Sequence, residues 1–135
     1  MRLNISRLLI GSVIFVNLQC AVTYLLWPER YAAGFEMTGA VGEAMIRGFG
    51  VLFVMWNVPY VVAIWHPIRY RTALYMAITM QTIGLVGEIW IYLSMSPVHT
   101  IARGSIMRFI VFDGLGLLAL LAAAWISRSV KHADG

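Results

Sequence analysis

Charged residues are scarce in this chain of 135 residues. Asp, Glu, Lys and Arg together make up 12% of the sequence, hydrophobic residues make up 61%, and the mean hydropathy is +0.80. A soluble domain is typically about a quarter charged and about half apolar, and so short a chain cannot bury this much apolar surface in its own core. The composition therefore excludes an ordinary soluble fold and a disordered chain, and it indicates an integral membrane protein.

Residues that carry common chemistry are also few. Cys20 is the single cysteine, which excludes a disulfide scaffold and a CxxC thiol oxidoreductase. His66, His99 and His132 lack the spacing of metal or haem ligands, so we expect no metal and no other cofactor. The chain has neither a glycine-rich phosphate loop nor a serine nucleophile elbow. Its basic residues are scattered among apolar runs, which argues against nucleic acid as a partner.

Four long apolar runs make up most of the sequence. We predict transmembrane helices over about residues 8–27, 45–65, 72–93 and 107–126. A bilayer core of ~30 Å requires about 20 helical residues, and continuous apolar runs do not alternate as the strands of a membrane barrel do. The predicted fold is an all-α, up-down bundle of four transmembrane helices that forms a single domain over residues 1–135.

The Lys and Arg residues near the span ends predict the orientation of the bundle, because they are enriched in cytoplasmic loops. Both termini are expected on the cytoplasmic side, which carries the larger number of these residues. The layout is similar to that of small four-span bacterial proteins, so we expect the bacterial inner (plasma) membrane, with the lipid bilayer as a partner. The predicted cytoplasmic residues are Arg2, Arg7, Arg69, Arg71, Arg128 and Lys131, and the predicted outer ones are Arg30, Arg47, Arg103 and Arg108.

Pro59 lies inside the second predicted span. Proline has no backbone N–H, so the Met55 carbonyl loses its helical partner. We therefore predict a bend near Pro59, with Asn57 or an adjacent side chain satisfying the freed carbonyl.

Four polar side chains, one from each span, fall at one depth near the outer leaflet when each helical residue is counted as 1.5 Å. They are Tyr24, Arg47, Glu88 and Asp113. A carboxyl group inside a membrane costs about 3 kcal/mol on insertion scales and marks a candidate functional site. We expect Glu88 and Asp113 to be catalytic and to lie within reach of each other or of Arg47, with Arg47 and Tyr24 contacting the substrate. Two alternatives remain open: a structural ion-pair network, and a local pair between Glu43 and Arg47.

A second polar layer lies near the midplane and consists of Asn17, Asn57 and Gln81. Gln81 and Glu88 are seven residues apart, about two helical turns, and so share one face; the same spacing joins Asn17 to Tyr24. We predict that the three amides contact the substrate. The alternative is that they form hydrogen bonds between helices, worth ~0.6 kcal/mol each.

The acidic pair leads to the predicted function. Repulsion between two carboxylates at one depth favours a state in which one of them carries a proton, and general acid–base chemistry requires such a pair. We expect a site that binds a small lipophilic substrate and acts on it by acid–base chemistry. The sequence leaves two alternatives open: an accessory subunit of a homo-oligomer or larger membrane complex, and a proton-coupled transporter. A cavity touching Glu88 and Asp113 would favour the first function, and direct contacts between arginine and these carboxylates in a filled core would favour the accessory subunit.

Overall fold

The computed structural model describes residues 1–131, so His132 lies outside the described residues. This part of the chain is helical and contains no strand. The helices are α1 (Arg2–Leu26), α2 (Pro28–Ala32), α3 (Gly39–Trp56), α4 (Val58–Trp65), α5 (Arg71–Ser94) and α6 (Thr100–Lys131), with a 3₁₀ turn at Ala33–Phe35 between α2 and α3.

Four helices are long and apolar enough to cross a membrane, which supports a multi-pass membrane protein. They are Arg2–Leu26, Gly39–Trp65, Arg71–Ser94 and Thr100–Arg128, with 25, 27, 24 and 29 residues. Several extend beyond the predicted apolar runs: α1 begins at Arg2 rather than near residue 8, and α6 begins at Thr100 rather than near residue 107. Hydropathy reports where side chains prefer lipid, whereas the helical backbone continues through polar residues at the ends.

The second span is interrupted at Asn57, which separates α3 from α4 two residues before Pro59, where the sequence predicts a bend. The Asn57 side chain donates through Nδ2 to the Phe53 carbonyl at 2.7 Å. The sequence instead predicted that Asn57 or an adjacent side chain would satisfy the Met55 carbonyl. A short polar side chain on a helix reaches the carbonyl four residues earlier, which is why Phe53 and not Met55 is its acceptor.

Helix packing leaves α3 and α5 apart. α1 packs against α3, α4 and α6, and α5 packs against α4 and α6. Among the described residues, α3 and α5 do not make the broad contacts that α5 makes with α4 and α6. The two halves of the second span therefore differ, because α4 contacts both α1 and α5, whereas α3 contacts α1.

Two buried clusters hold the bundle together. One includes Ile10, Tyr60, Leu74 and Leu120 and lies towards the end where Ser6 meets Ser127, with 2.9 Å between their hydroxyl oxygens. We call this end the Ser6 end. The other cluster is built on Tyr24, Ala32 and Ile46 beneath α2, and we call that end the α2 end.

Charged side chains cap the helices around the α2 end. Arg103 donates to the carbonyls of Tyr92 and Met95 at 2.7 and 2.6 Å, where a cation compensates the negative end of α5. Glu36 accepts from the Ala102 N–H at 3.2 Å and pairs with His99 at 2.6 Å, beside the start of α6. The hydrogen bond with His99, together with that from Ala102, holds the pKa of the Glu36 carboxyl below its ordinary value.

Candidate functional site

A cavity of about 380 Å³ occupies the space between α3 and α5. Three of its lining residues, Leu52, Ile83 and Ile91, are 53%, 63% and 45% exposed on the outside of the bundle. The cavity therefore opens sideways, through the helix faces that lipid covers in a membrane. Six aromatic residues from α1, the 3₁₀ turn, α3 and α6 also line it: Tyr24, Phe35, Phe49, Phe53, Trp56 and Phe109.

A chain of hydrogen bonds joins three helices at the side of the cavity nearest the Ser6 end. The Tyr60 hydroxyl donates to Gln81 Oε1 at 2.5 Å, and Gln81 Nε2 donates to Asp113 Oδ1 at 2.9 Å. Tyr60 is fully buried and Gln81 is 3% exposed. The Gln81 amide thus uses its oxygen towards α4 and its nitrogen towards α6, which fixes its orientation and places the Asp113 carboxyl at the cavity wall.

Two glycines make this close approach of α5 and α6 possible. A Cβ added at Gly84 would lie 2.6 Å from Asp113 Oδ2, and one added at Gly116 would lie 2.7 Å from Gln81 Nε2. Both distances are shorter than the closest approach of a Cβ atom to an oxygen or nitrogen atom to which it is not bonded. The polar pair is therefore seated against bare backbone on both helices.

Glu88 lies on the same face of α5 as Gln81, two turns closer to the α2 end, and lines the same cavity. Its Oε2 atom is buried and has no hydrogen-bond partner among the described residues. The ion pairs in the described part of the chain are Arg47–Glu43 and His99–Glu36, so no arginine neutralises Glu88 or Asp113. A buried oxygen without a partner is uncommon in folded proteins, and a group that binds there would satisfy it.

Arg47 is not part of the cavity. It is exposed on α3 and lies 3.7 Å from Glu43, one turn earlier on the same helix, as in the local alternative. Its side chain points away from the cavity, towards Glu43. Trp56 lines the cavity nine residues later, which at 3.6 residues per turn is about 180° around α3 from Arg47. Counting depth alone does not reveal this difference.

Five of the seven predicted site residues line the cavity: Asn17, Tyr24, Gln81, Glu88 and Asp113. Arg47 and Asn57 do not. Asn57 is 2% exposed, and its amide nitrogen donates to the Phe53 carbonyl. It therefore provides a hydrogen bond at the junction of α3 and α4. Tyr24 is 4% exposed, and its ring packs against the rings of Tyr31, Phe35, Phe53 and Phe109.

A second cavity of about 320 Å³ lies on the other side of this aromatic cluster and shares Tyr24, Phe53, Phe109 and Asp113 with the first. It differs in charge, because Arg30 and Arg108 line it. Arg108 donates to Ser105 Oγ at 2.8 Å, and Ser105 in turn donates to the Gly34 carbonyl at 2.5 Å. The arginines of this region therefore lie across the aromatic cluster from the α3–α5 cavity.

Tyr60 is the polar residue of the site that the sequence reasoning missed. Counted along the helix axis by helical rise, Tyr60 lies about 8 Å from the Ser6 end of its span. Gln81 lies about 14 Å from the same end of α5. Side chains lean towards the N-terminus of their own helix, which for α4 is the direction of Gln81, so the Tyr60 side chain covers the difference. The depth count could have found this contact. The aromatic lining could not be found in this way, because in a membrane span phenylalanine suits lipid and protein interior equally.

Among the described residues, no group of three His, Cys, Asp or Glu side chains could hold a metal ion. The site consists of carboxyl, amide and phenol groups beside an apolar cavity. Together, the fold and this site define a multi-pass membrane protein with a polar cluster inside the bundle. Comparison of the chain with protein-family models, with curated proteins and with solved structures finds no match.

Proposed function

We propose that this protein binds a small lipophilic molecule in the α3–α5 cavity and holds the polar end of that molecule with Glu88 and Asp113. One observation carries the proposal: an apolar cavity contains a buried carboxyl oxygen, Glu88 Oε2, that has no partner among the described residues. Ligand sites are mostly apolar concavities with a few placed polar groups. A ligand N–H or O–H group would satisfy this oxygen and recover the free energy lost in burying it.

The arrangement in the membrane completes the proposal. The four spans run in up-down order with both termini in the cytoplasm, and the membrane is the bacterial inner membrane. Contacts between α1 and α6 support the antiparallel order, since Ser6 meets Ser127 at one end and Tyr24 meets Phe109 at the other. The α2 end then lies in the outer leaflet. A ligand dissolved in that leaflet enters between α3 and α5 without crossing water.

A cavity-filling substitution tests the binding function. Gly87 lines the cavity, and a Cβ added there would meet nothing within 4 Å, so Gly87→Leu places a side chain in the cavity without displacing the backbone. Gly48→Leu is the matched control, because Gly48 is equally unobstructed but does not line the cavity. Lipid-extract mass spectrometry of the purified proteins should find a retained lipophilic compound in the wild type and in Gly48→Leu, but not in Gly87→Leu. Equal retention in all three would contradict the proposal.

The same carboxyl pair is the candidate for acid–base chemistry on the ligand. In this step one carboxyl group donates a proton to an alkene carbon while the other, as carboxylate, removes a proton from the neighbouring allylic carbon, which shifts the double bond. With an epoxide the proton goes to the ring oxygen as a C–O bond breaks, and the carboxylate removes a proton from the adjacent carbon to leave an allylic alcohol. Incubation of the retained compound with wild type and with Glu88→Gln tests it. A product with a shifted double bond or an opened ring should form with the wild type only. If the compound is recovered unchanged from both, the protein binds without catalysing.

Two other functions agree with the sequence and predict different results. An accessory subunit would co-purify with a larger membrane complex and would keep its stability and assembly in Gly87→Leu. A proton-coupled transporter would move the retained compound into proteoliposomes in response to a pH gradient. The lack of arginine contacts with Glu88 and Asp113 in the described residues favours a ligand site over a structural ion-pair network.

A further inference from the structure

The α3–α5 cavity combines two carboxyl groups with a wall of aromatic rings, and none of the described residues that line it is basic. Glu88 and Asp113 supply the carboxyl groups. Neither has a basic residue within ion-pair distance among the described residues. Asp113 accepts a hydrogen bond from Gln81, whereas Glu88 Oε2 has no partner in that part of the chain. The two carboxyl groups of this cavity thus have no balancing positive charge within ion-pair distance in the described part of the chain.

The aromatic rings of the cavity also favour a positively charged ligand. The face of an aromatic ring carries partial negative charge and attracts cations, most strongly where water is excluded. Tyr24, Phe35, Phe49, Phe53, Trp56 and Phe109 all line the cavity. The arginines Arg30 and Arg108 line the second cavity, across the aromatic cluster from Glu88. An anionic group in the α3–α5 cavity would meet carboxyl groups and ring faces and would find no cation.

We propose that the ligand of the α3–α5 cavity is a lipophilic organic cation, an alkylated amine or quaternary ammonium compound with an apolar body, whose charged nitrogen lies beside Glu88 and Asp113. This inference rests on the proposed function and names its ligand class. A neutral lipophilic molecule fills the space and leaves a carboxyl group there protonated, because an uncompensated charge in an apolar environment is costly. A cation compensates that charge, and its alkyl groups contact the rings.

The test compares two probes of nearly equal shape, phenyltrimethylammonium and its neutral analogue tert-butylbenzene, in which carbon replaces the charged nitrogen. The protein is labelled with 5-fluorotryptophan and placed in nanodiscs of zwitterionic lipid, and ¹⁹F spectra are recorded during titration with each probe. Trp56 lines the cavity and reports binding there. Trp90 is 70% exposed on α5 and reports partition of the probe into the lipid.

The cation should shift the Trp56 resonance with an affinity about tenfold or more above that of the neutral analogue. Glu88→Gln should remove this preference while leaving the weaker binding of tert-butylbenzene unchanged. Glu43→Gln is the matched control, because Glu43 pairs with Arg47 and does not line the cavity, so it should behave as the wild type.

Each other outcome has a distinct meaning. If tert-butylbenzene binds as tightly as the cation, the ligand class is wrong and the binding function stands. If Glu88→Gln keeps the full preference for the cation, Glu88 does not supply the counter-charge and the inference is overturned. If neither probe shifts Trp56 beyond the change at Trp90, both the ligand class and the proposed function are contradicted.

Discussion

Gln81 connects two helices through a single amide group. Its oxygen accepts from Tyr60 on α4, and its nitrogen donates to Asp113 on α6. A carboxylate has no N–H to donate, and an alkyl chain has neither group, so glutamine is the side chain of this length that serves both partners. The Gln81 amide on α5 therefore holds the Asp113 carboxyl of α6 at the cavity.

Replacement of Gln81 should destabilise the bundle. Gln81→Leu removes the hydrogen bonds that the buried Tyr60 hydroxyl and Asp113 Oδ1 make to this amide, and we expect a loss of about 1–2 kcal/mol in the free energy of unfolding. The neighbouring Thr82→Val is the control, because Thr82 is exposed and bonds only to Ile78 of its own helix. Denaturation in mixed micelles measures both variants. A Gln81→Leu protein as stable as Thr82→Val would mean that the amide bridge contributes nothing to the fold.

Glu88 and Asp113 should respond differently to substitution, although both carry carboxyl groups. Glu88→Gln removes no hydrogen bond of Oε2 within the described part of the chain and should leave the melting temperature unchanged or higher while ligand retention is lost. Asp113→Ala leaves Gln81 Nε2 without its acceptor and should lower the melting temperature. Thermal unfolding together with lipid-extract mass spectrometry separates the two roles. A Glu88→Gln protein that melts at an unchanged temperature and retains the ligand fully would show that this carboxyl is incidental.

At the scale of the helices, α5 has two glycines on neighbouring turns with different surroundings. A Cβ at Gly84 would meet Asp113 Oδ2 and the Trp56 ring, whereas one at Gly87 would meet nothing within 4 Å. Both glycines line the cavity, but a side chain added at Gly84 would meet α6 and α3 through Asp113 and Trp56. Gly84 is thus also a packing position, whereas Gly87 leaves room for a Cβ.

Alanine substitutions should therefore have opposite effects at the two positions. Gly84→Ala forces Asp113 or α6 to move and should cost about 1–3 kcal/mol of stability. Gly87→Ala meets no obstacle and should be neutral or stabilising by up to ~1 kcal/mol, since alanine is the better helix former. Unfolding in mixed micelles measures both changes. Equal effects at the two positions would contradict the close approach of α5 and α6.

The start of α6 is held by Glu36, and this contact should depend on pH. The pKa of Glu36 is lowered in the folded state, so its contribution to stability is present above the pKa of the unfolded chain, about 4.3, and is lost as the pH falls through the lower folded-state value. Acidification through this range should release the Ala102 N–H from the carboxyl group. The ¹⁵N shift of the Ala102 amide should follow this titration, and Glu36→Gln should abolish it. A shift that titrates identically in Glu36→Gln would assign the change to another group.

At the scale of the whole molecule, the function depends on which leaflet the cavity faces. The proposed orientation places residue 69, between α4 and α5, in the cytoplasm and residue 96, between α5 and α6, outside. In a Cys20→Ala background, a membrane-impermeant thiol reagent added to intact cells should label Ser96→Cys and not Arg69→Cys. Disruption of the cells should make Arg69→Cys reactive. Labelling of Arg69→Cys in intact cells would reverse the orientation and place the cavity mouth in the inner leaflet.

The four long apolar runs of the sequence by themselves determined that this chain has four helices suited to a membrane. The reason is that the transfer of a side chain from water to lipid depends on its own chemistry and little on its neighbours. The break near Pro59 follows in the same way from a missing N–H group. The depths of Glu88, Gln81 and Asp113 follow from helical rise, and the structure brings all three to one cavity. Direction around each helix was decided only by the tertiary packing, which turns Arg47 outward to Glu43 and Tyr60 inward to Gln81. The cavity itself also arises there, because it exists where α3 and α5 stand apart, and a space between two helices depends on how both are held by their other neighbours.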